Sequence, residues 1–378
     1  MNNIFIISNG INDLEVDSMT TSSSKYELRF SNYLSKQAAV KILSSRLAPE
    51  ERRQKNNVEL IGIGLRSDQT KRNRAYRGFL KKKALYNAIK NNKGEKDIVV
   101  FWGYHLFTVL WMIYIKVVLK IPVISFIYDS HKPAISQHSV IKRSVLDLYF
   151  STGMFFTRCL DGYIFFQEKA IDRINVKKKL VLVIKPGVEP KEPISRKPSN
   201  TFRVAFCGTL SGLNGIDALL DSLPLLEGRN LEINVCGYGP LLGQVKQAEK
   251  QHSFFHYLGV LNDKELYELY QSSDLLLNLR RLDDEAMDFA FPSKLFEYTS
   301  TGLPVVSTAL LRDELFLENV YLLEEVEAPK IAEQIISALF NREEADKKGL
   351  ELKKYVEDRY SFETIATDVY EFLEPICK

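Results

Sequence analysis

The amino-acid sequence predicts an α/β protein made of two similar halves, each built on a parallel sheet. Short apolar, β-branched runs alternate with helical patterns along the chain, as in strands joined by helical crossovers. The alternation is interrupted by the Pro-rich, charged stretch 189–200 and then starts again. A chain of 378 residues is also too long for one hydrophobic core. We therefore expect two domains, 1–188 and 201–360, joined by a linker at 189–200.

Each element of the first half is predicted from its own local pattern. Asn3–Ser8 is an apolar run that ends in Asn9-Gly10, a strand and turn signal. Comparable runs predict the further strands 58–63, 98–101, 161–166 and 180–184. Helical patterns predict helices at about 26–43 and 142–160.

The second half repeats the alternation more regularly. Strands are predicted at 202–207, 231–236, 255–258, 274–279 and 304–308. Helices are predicted at 215–225, 240–250, 263–271, 293–301 and 329–340, with a long amphipathic tail at about 344–374.

Residues 107–127 are apolar enough that a membrane-spanning helix must be considered. Lys116, Lys120 and Pro122 interrupt the stretch and leave a segment too short to cross a bilayer. We expect instead a helix to about Lys120, followed by a buried strand over 123–128.

The charge of the chain is divided unevenly between its halves. The net charge is +3, but residues 1–188 carry 31 Lys and Arg against 15 Asp and Glu, and the remainder carries 20 against 33. A basic surface attracts anionic partners, so the first half is expected to face a membrane surface or nucleic acid. The alternative is a basic fold whose charges are only solvated.

The four cysteines are scattered, without Cys-x-x-Cys or His–Cys spacing. This distribution argues against a zinc site or a disulfide framework and fits a reducing compartment. The first residues enter a strand pattern without a basic region before it, so we expect no signal peptide. The sequence thus predicts a cytoplasmic protein.

Residues 289–308, FAFPSKLFEYTSTGLPVVST, form the most informative stretch. Ser293 suits a helix N-cap, and Gly302 with the following proline suits a helix stop before a β-branched strand. A helix that begins in a loop leaves free backbone N–H groups at 293–296, which can bind an anion. Glu297 can reach a polar group beside that anion, so the stretch suits a nucleoside diphosphate with its ribose. The alternative is that Glu297 only complements the helix dipole.

Three more segments precede this stretch. In chain order they are VAFCGTL with Gly215-Ile-Asp, CGYGPL and LGVL. Together, the four segments resemble the donor domain of the family-4 glycosyltransferases, retaining enzymes of the GT-B fold that build bacterial surface polysaccharides. In that resemblance, FPSKLFEYTSTGLPVVST corresponds to the donor-site signature, and the others to the first strand and turn, the Gly-x-Gly turn and the base-binding strand. The resemblance covers residues 185–310, and the first half only by architecture.

The resemblance implies a GT-B fold, in which two Rossmann-like domains face each other across a cleft and the C-terminal helix, 361–378, crosses back to the first domain. It implies retaining transfer of a sugar from a nucleotide-sugar, with no metal and no cofactor. Gly10 is placed in the first domain's loop that approaches the donor, where glycine lets the backbone come close. The other implied donor-binding residues are Gly208, Thr209, Gly237, Leu261, Pro292, Ser293, Lys294, Leu295 and Glu297.

Three positions depart from the family pattern. Thr209 and Asn214 stand where the family has an Arg and a Lys, and Phe289 stands where it often has a Glu. Because the leaving diphosphate must be stabilised by protein groups, another cation is needed. Some relatives place an Arg after the strand that precedes the signature, so Arg280 is the candidate, and its guanidinium suits bidentate phosphate contact. The alternative is a surface arginine paired with the acidic residues 283–285.

His131 and Asp129 are the candidates of the first half. They follow a predicted strand, at the edge of the sheet where α/β proteins bind ligands. Some relatives have a His here that touches the donor sugar or the acceptor, which implies a catalytic role for His131 and an acceptor contact for Asp129. The alternative is a loop histidine without a catalytic role, and His105 and His138 compete for the same role.

The resulting hypothesis is a glycosyltransferase on the inner face of the plasma membrane that uses a UDP- or GDP-linked sugar. It would extend a saccharide or lipid-linked saccharide, as in lipopolysaccharide synthesis, with Arg280, His131 and Glu297 as the catalytic residues. One alternative is a GT-B nucleotide-sugar epimerase. Another is a non-catalytic nucleotide-sugar binder or scaffold, which the uncharged residues at 209, 214 and 289 favour. Nucleic-acid binding would explain the basic half but not the Pro-Ser-Lys…Glu pattern at 292–297.

Overall fold

The computed structural model describes residues 3–8, 10–15, 22–65, 74–127, 140–176, 179–190, 192–282, 293–311 and 313–377. The chain divides into two units. Unit 1 contains the described residues up to Gly187 together with those from Phe362 onward, and unit 2 contains the described residues from Val188 to Ser361. Each unit is an α/β body with one sheet of mainly parallel strands, so the predicted pair of Rossmann-like domains is confirmed.

The sheet of unit 1 has the strand order β3-β4-β2-β1-β5-β6-β7-β8. All neighbours are parallel except β3 and β4, which form an antiparallel hairpin. The strands are β1 (Asn3–Ser8), β2 (Ala39–Ser44), β3 (Arg52–Lys55), β4 (Val58–Gly62), β5 (Ile98–Trp102), β6 (Val123–Ile127), β7 (Gly162–Phe165) and β8 (Leu180–Val183).

Helices cover both faces of this sheet. In chain order they are α1 (Ser22–Leu34), α2 (Arg74–Asn91), α3 (Leu106–Leu119), α4 (Val140–Thr157) and α5 (Lys169–Ile174). Strand β1 shows why its sequence is a continuous apolar run. Ile4 and Ile6 point into the core on one face, while Phe5 and Ile7 point into the core on the other.

The sheet of unit 2 has the strand order β11-β10-β9-β12-β13-β14, and every described pair is parallel. Its strands are β9 (Phe202–Cys207), β10 (Leu231–Cys236), β11 (Phe255–Tyr257), β12 (Leu275–Asn278), β13 (Val305–Thr308) and β14 (Tyr321–Leu323). Its helices are α6 (Ile216–Leu226), α7 (Leu242–Gln251), α8 (Asp263–Gln271), α9 (Ser293–Thr299), α10 (Glu314–Asn319), α11 (Ala328–Phe340) and α12 (Arg342–Tyr360).

The last helix, α13 (Phe362–Leu373), belongs to unit 1. Its apolar face enters the same core as β1 and α1, through Phe362, Ile365 and Val369. Lys36, in the turn after α1, adds an exposed ion pair of 2.9 Å with Glu363, which contributes little beside the apolar burial. The amphipathic tail predicted at about 344–374 consists of two helices, α12 and α13, separated at Ser361.

The helix predicted over 26–43 is wrong in its second half. Helix α1 ends at Leu34, and β2 begins at Ala39 and pairs in register with Asn3 of β1. The alternation in Ala-Val-Lys-Ile-Leu suits a strand, and the buried sheet supplies partners for its backbone groups. The pattern also failed to reveal β3, which joins β4 through Asn56 in a left-handed conformation (φ 54°).

The apolar stretch 107–127 folds as predicted, into α3 followed by the buried strand β6. The helix ends at Leu119, and its C-cap residue, Lys120, adopts the left-handed conformation. Across the described residues, no helix has both the length and the apolarity needed to cross a membrane.

The described residues of the stretch predicted as a linker belong to unit 2 and pack against its other elements. The backbone N–H of Ile194 donates to the carbonyl of Thr301 (2.9 Å), and that of Lys197 to the carbonyl of Gln271 (2.8 Å). Arg196 forms ion pairs with Asp346 and Asp274.

Candidate active site

Three glycine turns meet at the carboxyl edge of the unit 2 sheet. The N–H of Gly208, after β9, donates to the carbonyl of Cys236 (3.0 Å), and the N–H of Gly237, after β10, donates to the carbonyl of Gly259 (2.7 Å). Gly237 has φ +133°, and a Cβ there would lie 1.8 Å from the carbonyl oxygen of Gly208. The turns can approach this closely only because the residue is glycine, and the edge where they meet is where α/β folds bind ligands.

Glu297, on α9, has a carboxylate fixed from two sides. Its Oε1 accepts a hydrogen bond from the Tyr270 hydroxyl (2.7 Å), and its Oε2 pairs with the Lys294 ammonium (2.8 Å). The Glu297 side chain remains 37% exposed. Since each carboxylate oxygen can accept two hydrogen bonds, the fixed carboxylate can still accept hydroxyl groups from a ligand.

The ionisable groups around Glu297 shift one another's pKa values. Burial alone would lower the pKa of Lys294, but the Glu297 carboxylate outweighs it and holds that pKa above its usual value. Burial raises the pKa of Tyr270, and the neighbouring Glu297 charge raises it further. At neutral pH, Lys294 is therefore a cation and Tyr270 a hydrogen-bond donor, which is the state that their contacts with Glu297 require.

Tyr298 fastens α9 to the end of β9. Its buried hydroxyl donates to the carbonyl of Cys207 (2.9 Å) and accepts from the N–H of the same residue (3.0 Å). Its ring contacts that of Tyr270 edge to face, with centroids 5.9 Å apart. Tyr298 thus sets Glu297, the preceding residue, beside the strand that leads into Gly208.

Arg280 lies in a second polar cluster at the same edge. Its Nη1 donates to Oδ1 of Asn214 (3.1 Å), and Nδ2 of Asn214 donates to the carbonyl of Thr209 (2.8 Å). The hydroxyl of Thr308, at the end of β13, donates to the carbonyl of Arg280 (2.8 Å). The guanidinium therefore lies beside Asn214 and near Thr209, the two uncharged positions where the resemblance implies cations. The acidic residues 283–285 of the alternative pairing lie outside the described residues.

The neighbouring Arg281 holds the loop around this cluster. Its Nε donates to the carbonyl of Gly212 (2.9 Å), and its Nη2 pairs with Asp217 (3.0 Å). The turn after β9 is thereby joined to the end of β12.

The remaining donor-binding candidates of unit 2 differ in how far their side chains are exposed to a ligand. Leu295 is fully buried in the core, so it can meet a ligand only through its backbone. Leu261 is half-buried beside the same core. Ser293 is the first residue of α9, and Pro292 and Phe289 lie outside the described residues.

In unit 1, Gly10 follows β1 at the carboxyl edge of its sheet. His131, Asp129 and His138 lie outside the described residues. His105 is described, and it is exposed immediately before α3.

Tyr270 and Tyr298 are residues of the candidate site that the sequence did not reveal. Both occupy helical apolar positions that are typical of core residues. Only the fold shows that the two hydroxyls end at Glu297 and at the backbone of Cys207.

No three His, Cys, Asp or Glu side chains converge as metal ligands in the described parts of the chain. The described site combines a fixed carboxylate, two cationic side chains and exposed backbone turns. Such a set can bind hydroxyl groups and an anion side by side.

Residues 201–341 match the family model described as "Glycosyl transferases group 1". A comparison with curated proteins finds no match.

Several solved structures share the fold over nearly the whole chain. Anabaena HepE in complex with UDP has 13% identity and a TM-score of 0.64, covering 99% of this chain and 100% of that one. An Escherichia coli structure described as trehalose-6-phosphate bound with UDP-2-fluoro glucose has 13% identity and a TM-score of 0.67, covering 99% of each chain. WaaG, a glycosyltransferase involved in lipopolysaccharide biosynthesis, has 16% identity and a TM-score of 0.58, covering 97% of this chain and 99% of that one.

These likenesses confirm the predicted GT-B fold. A group 1 glycosyl transferase domain occupies residues 201–341, and the prediction that the chain is an enzyme of the glycosyltransferase type is confirmed.

Proposed function

We propose that the protein transfers a sugar from a UDP- or GDP-linked donor to a saccharide or lipid-linked saccharide, with retention of configuration and without a metal. Unit 2 binds the nucleotide-sugar, and unit 1 serves the acceptor. The observation that carries the proposal is the arrangement of Glu297, whose carboxylate is held by Tyr270 and Lys294 at the edge of a glycosyl transferase domain.

Glu297 has the properties of a ribose ligand. A ribose offers two neighbouring hydroxyl groups, and a carboxylate with fixed oxygens accepts both without losing further side-chain freedom. Lys294 contributes a positive charge beside the same group and offsets the repulsion between the carboxylate and a bound diphosphate.

Arg280 supplies the cation for the leaving diphosphate. A guanidinium binds two phosphate oxygens at once, and it remains charged at any pH that the enzyme meets. Its contact with Asn214 directs the group toward the turn after β9. Charge that develops on the leaving group is then stabilised by the protein itself.

The structural relatives support a uridine nucleotide as the first donor to test. Two of them hold UDP and UDP-2-fluoro glucose as bound ligands. A panel of UDP-glucose, GDP-mannose and ADP-glucose should raise the melting temperature of the protein for the donor that it binds, because a ligand of the folded state adds stability.

Transfer itself is tested with the same donors carrying a radiolabelled sugar, together with a bacterial membrane extract. A labelled, extractable lipid product formed equally well with and without EDTA supports the proposal. An altered free donor indicates an epimerase, and binding without any product indicates a scaffold. The configuration of the new linkage, read by NMR, decides whether transfer retains or inverts it.

We further propose that the acceptor is presented at an anionic membrane, on which unit 1 rests through α3 and α4. Helix α3 exposes Phe107, Leu110, Tyr114 and Val117, which are spaced by three or four residues and therefore share one face. Helix α4 exposes the apolar side chains of Val145, Leu148 and Phe155. We call these seven residues the apolar face of unit 1.

Cations border this apolar face. The Lys82 ammonium lies 5.8 Å from the ring centroid of Phe107 and 5.6 Å from that of Trp111. The Arg158 guanidinium lies 5.5 Å from the ring centroid of Phe155. Exposed aromatic and aliphatic groups beside cations suit the boundary between acyl chains and anionic headgroups.

A further inference from the structure

A buried carboxyl group lies beneath the turn that follows the first strand of unit 1. Glu27, on α1, is 8% exposed, and its Oε2 accepts a hydrogen bond of 2.5 Å from the Ser8 hydroxyl at the end of β1. Burial and this hydroxyl are the influences on its ionisation, and the described part of the chain places no cation or second acid against it. No role in binding or catalysis assigned above requires a buried acid at this position.

Ser8 transmits the contact to the turn. A hydroxyl group has one proton to donate and two sites that accept. The proton of Ser8 goes to Glu27, and its oxygen accepts the backbone N–H groups of Gly10 and Ile11, each at 3.2 Å. The carbonyl of Ile11 accepts the hydroxyl of Ser44, at the end of β2. The turn is therefore held at both ends by serine side chains.

Helix α1 also limits where the turn can lie. A Cβ added at Gly10 would come within 2.1 Å of the Ser24 hydroxyl oxygen on α1. Ser24 lies one helical turn before Glu27, so the same helix confines Gly10 and anchors Ser8.

We propose that Glu27 is a positioning residue that, through Ser8, fixes the backbone of Gly10 and Ile11 for contact with the donor at the edge of the sheet. This inference rests on the proposed function and on the position of Gly10 after β1, at the carboxyl edge of the unit 1 sheet, where α/β folds bind ligands. Burial raises the pKa of Glu27 to about 7, so its charge changes near neutral pH. The ionised carboxylate accepts the Ser8 proton more strongly than the neutral acid does, and the turn is held more firmly as the pH rises through 7.

The test compares three variants at this site. Glu27→Ala and Ser8→Ala remove the contact, whereas Glu27→Gln keeps an acceptor oxygen but cannot ionise. Ser31→Ala is the matched control, because Ser31 is also buried on the same helix and its hydroxyl donates to the backbone carbonyl of Glu27 (2.7 Å) instead of contacting the turn. Hydrogen exchange at the amides of Gly10 and Ile11, and the Kd of the tightest-binding nucleotide-sugar of the panel, are measured between pH 6 and pH 8.

Loss of one such hydrogen bond should speed exchange at the two amides about tenfold in Glu27→Ala and Ser8→Ala. Ser31→Ala should leave these amides unchanged. In the wild type, affinity for the donor should rise severalfold from pH 6 to pH 8, and Glu27→Gln should lose most of that rise while its amides stay protected. A buried acid with only a structural role would not produce this difference in pH dependence.

Wild-type exchange rates in Glu27→Ala would overturn the proposal, and so would equal pH dependence of binding in the wild type and Glu27→Gln. Failure of the wild type to bind any nucleotide-sugar of the panel would instead overturn the proposed function and the donor contact with it. The exchange rates show whether Glu27 fixes the turn even when no donor binds. Failure of the proposed function and failure of this inference are therefore distinguishable.

Discussion

The hydroxyl of Tyr270 is a single group whose contribution to donor binding can be isolated. Tyr270→Phe keeps the ring contact with Tyr298 and removes only the hydrogen bond to Glu297. Because the carboxylate then has one fixed oxygen instead of two, we expect the Kd of the nucleotide-sugar to rise about fivefold, or about 1 kcal/mol. Isothermal titration calorimetry measures the change.

Tyr321→Phe is the control for this variant. Tyr321 is also buried in unit 2, and its hydroxyl has no hydrogen-bond partner among the described residues. Its removal should leave the Kd unchanged. Equal affinities in Tyr270→Phe and the wild type would show that the hydroxyl does not position Glu297.

Arg280 is expected to act on the transfer step. Arg280→Ala should lower kcat about 100-fold or more, since a charge that stabilises the leaving group is lost, while the melting temperature stays near that of the wild type. Arg229→Ala is the control, because that guanidinium is exposed and donates to the backbone carbonyl of Leu225. Wild-type turnover in Arg280→Ala would exclude this residue as the missing cation.

Glu27 should also make folding stability depend on pH in a defined direction. Its pKa is about 7 in the folded protein against 4.5 for an ordinary glutamate, so the folded state binds more protons between these values. The free energy of unfolding therefore includes a contribution that is present below pH 4.5 and is lost as the pH rises through 7, on the order of 3 kcal/mol.

Glu27→Gln should abolish this decline. The variant should be more stable than the wild type at pH 8, and the difference should shrink as the pH approaches 4.5. Urea unfolding at a series of pH values measures it. A constant difference across that range would mean that the pKa of Glu27 in the folded protein is not raised above its ordinary value.

At the scale of elements, the carboxyl edge of unit 2 depends on the close approach of its glycine turns. Gly237→Ala would place a Cβ 1.8 Å from the carbonyl oxygen of Gly208 and impose a φ of +133° on alanine. We expect a loss of about 2 kcal/mol or more in the free energy of unfolding, together with weaker donor binding. Thermal unfolding with and without the nucleotide-sugar measures both effects.

Gly243→Ala is the matched control for that element. Gly243 lies in α7, and a Cβ there would meet nothing within 4 Å. Alanine should stabilise the helix by up to about 1 kcal/mol. If Gly237→Ala were as stable as Gly243→Ala and bound the donor equally well, the close approach of the turns at Gly208 and Gly237 would not require glycine.

Elements with strong local signals were predictable from the sequence. Strands β9 and β10 and helix α8 have the predicted bounds, because an apolar run bounded by turn residues, or a capping box such as that of Asn262 and Glu265, is encoded locally. Strand β2 was misread as helix, because only its pairing with β1 reveals it.

The site was predictable only in part, for the same reason. Glu297 and Lys294 lie within one recognisable segment. The contacts of Glu297 with Tyr270 and of Arg280 with Asn214 join positions 27 and 66 residues apart. Nothing in the local sequence specifies such pairs, which arise where β9, β12 and α9 come together at one edge of the sheet.

At the scale of the whole molecule, the uneven division of charge along the sequence corresponds to the division of the structure into two units. The basic half of the sequence forms most of unit 1, the unit that exposes the apolar face on α3 and α4. Large exposed apolar areas are uncommon on proteins without a partner. In the proposed membrane contact, the positive charge of unit 1 would attract it to an anionic surface, and the apolar side chains would supply contact energy once they meet the acyl region.

This combination leads to a prediction about membrane binding. The protein should sediment with vesicles of phosphatidylglycerol and not with vesicles of phosphatidylcholine, and raising the salt concentration should weaken the association. Phe107→Ser combined with Val117→Ser should reduce binding about tenfold or more, since two side chains that are 62% and 66% exposed would no longer enter the acyl region. Phe340→Ser is the control, because Phe340 is 75% exposed but lies in unit 2. Equal losses in the two variants would mean that exposed apolar groups bind lipid wherever they lie, and undiminished binding of the double variant would exclude α3 from the contact.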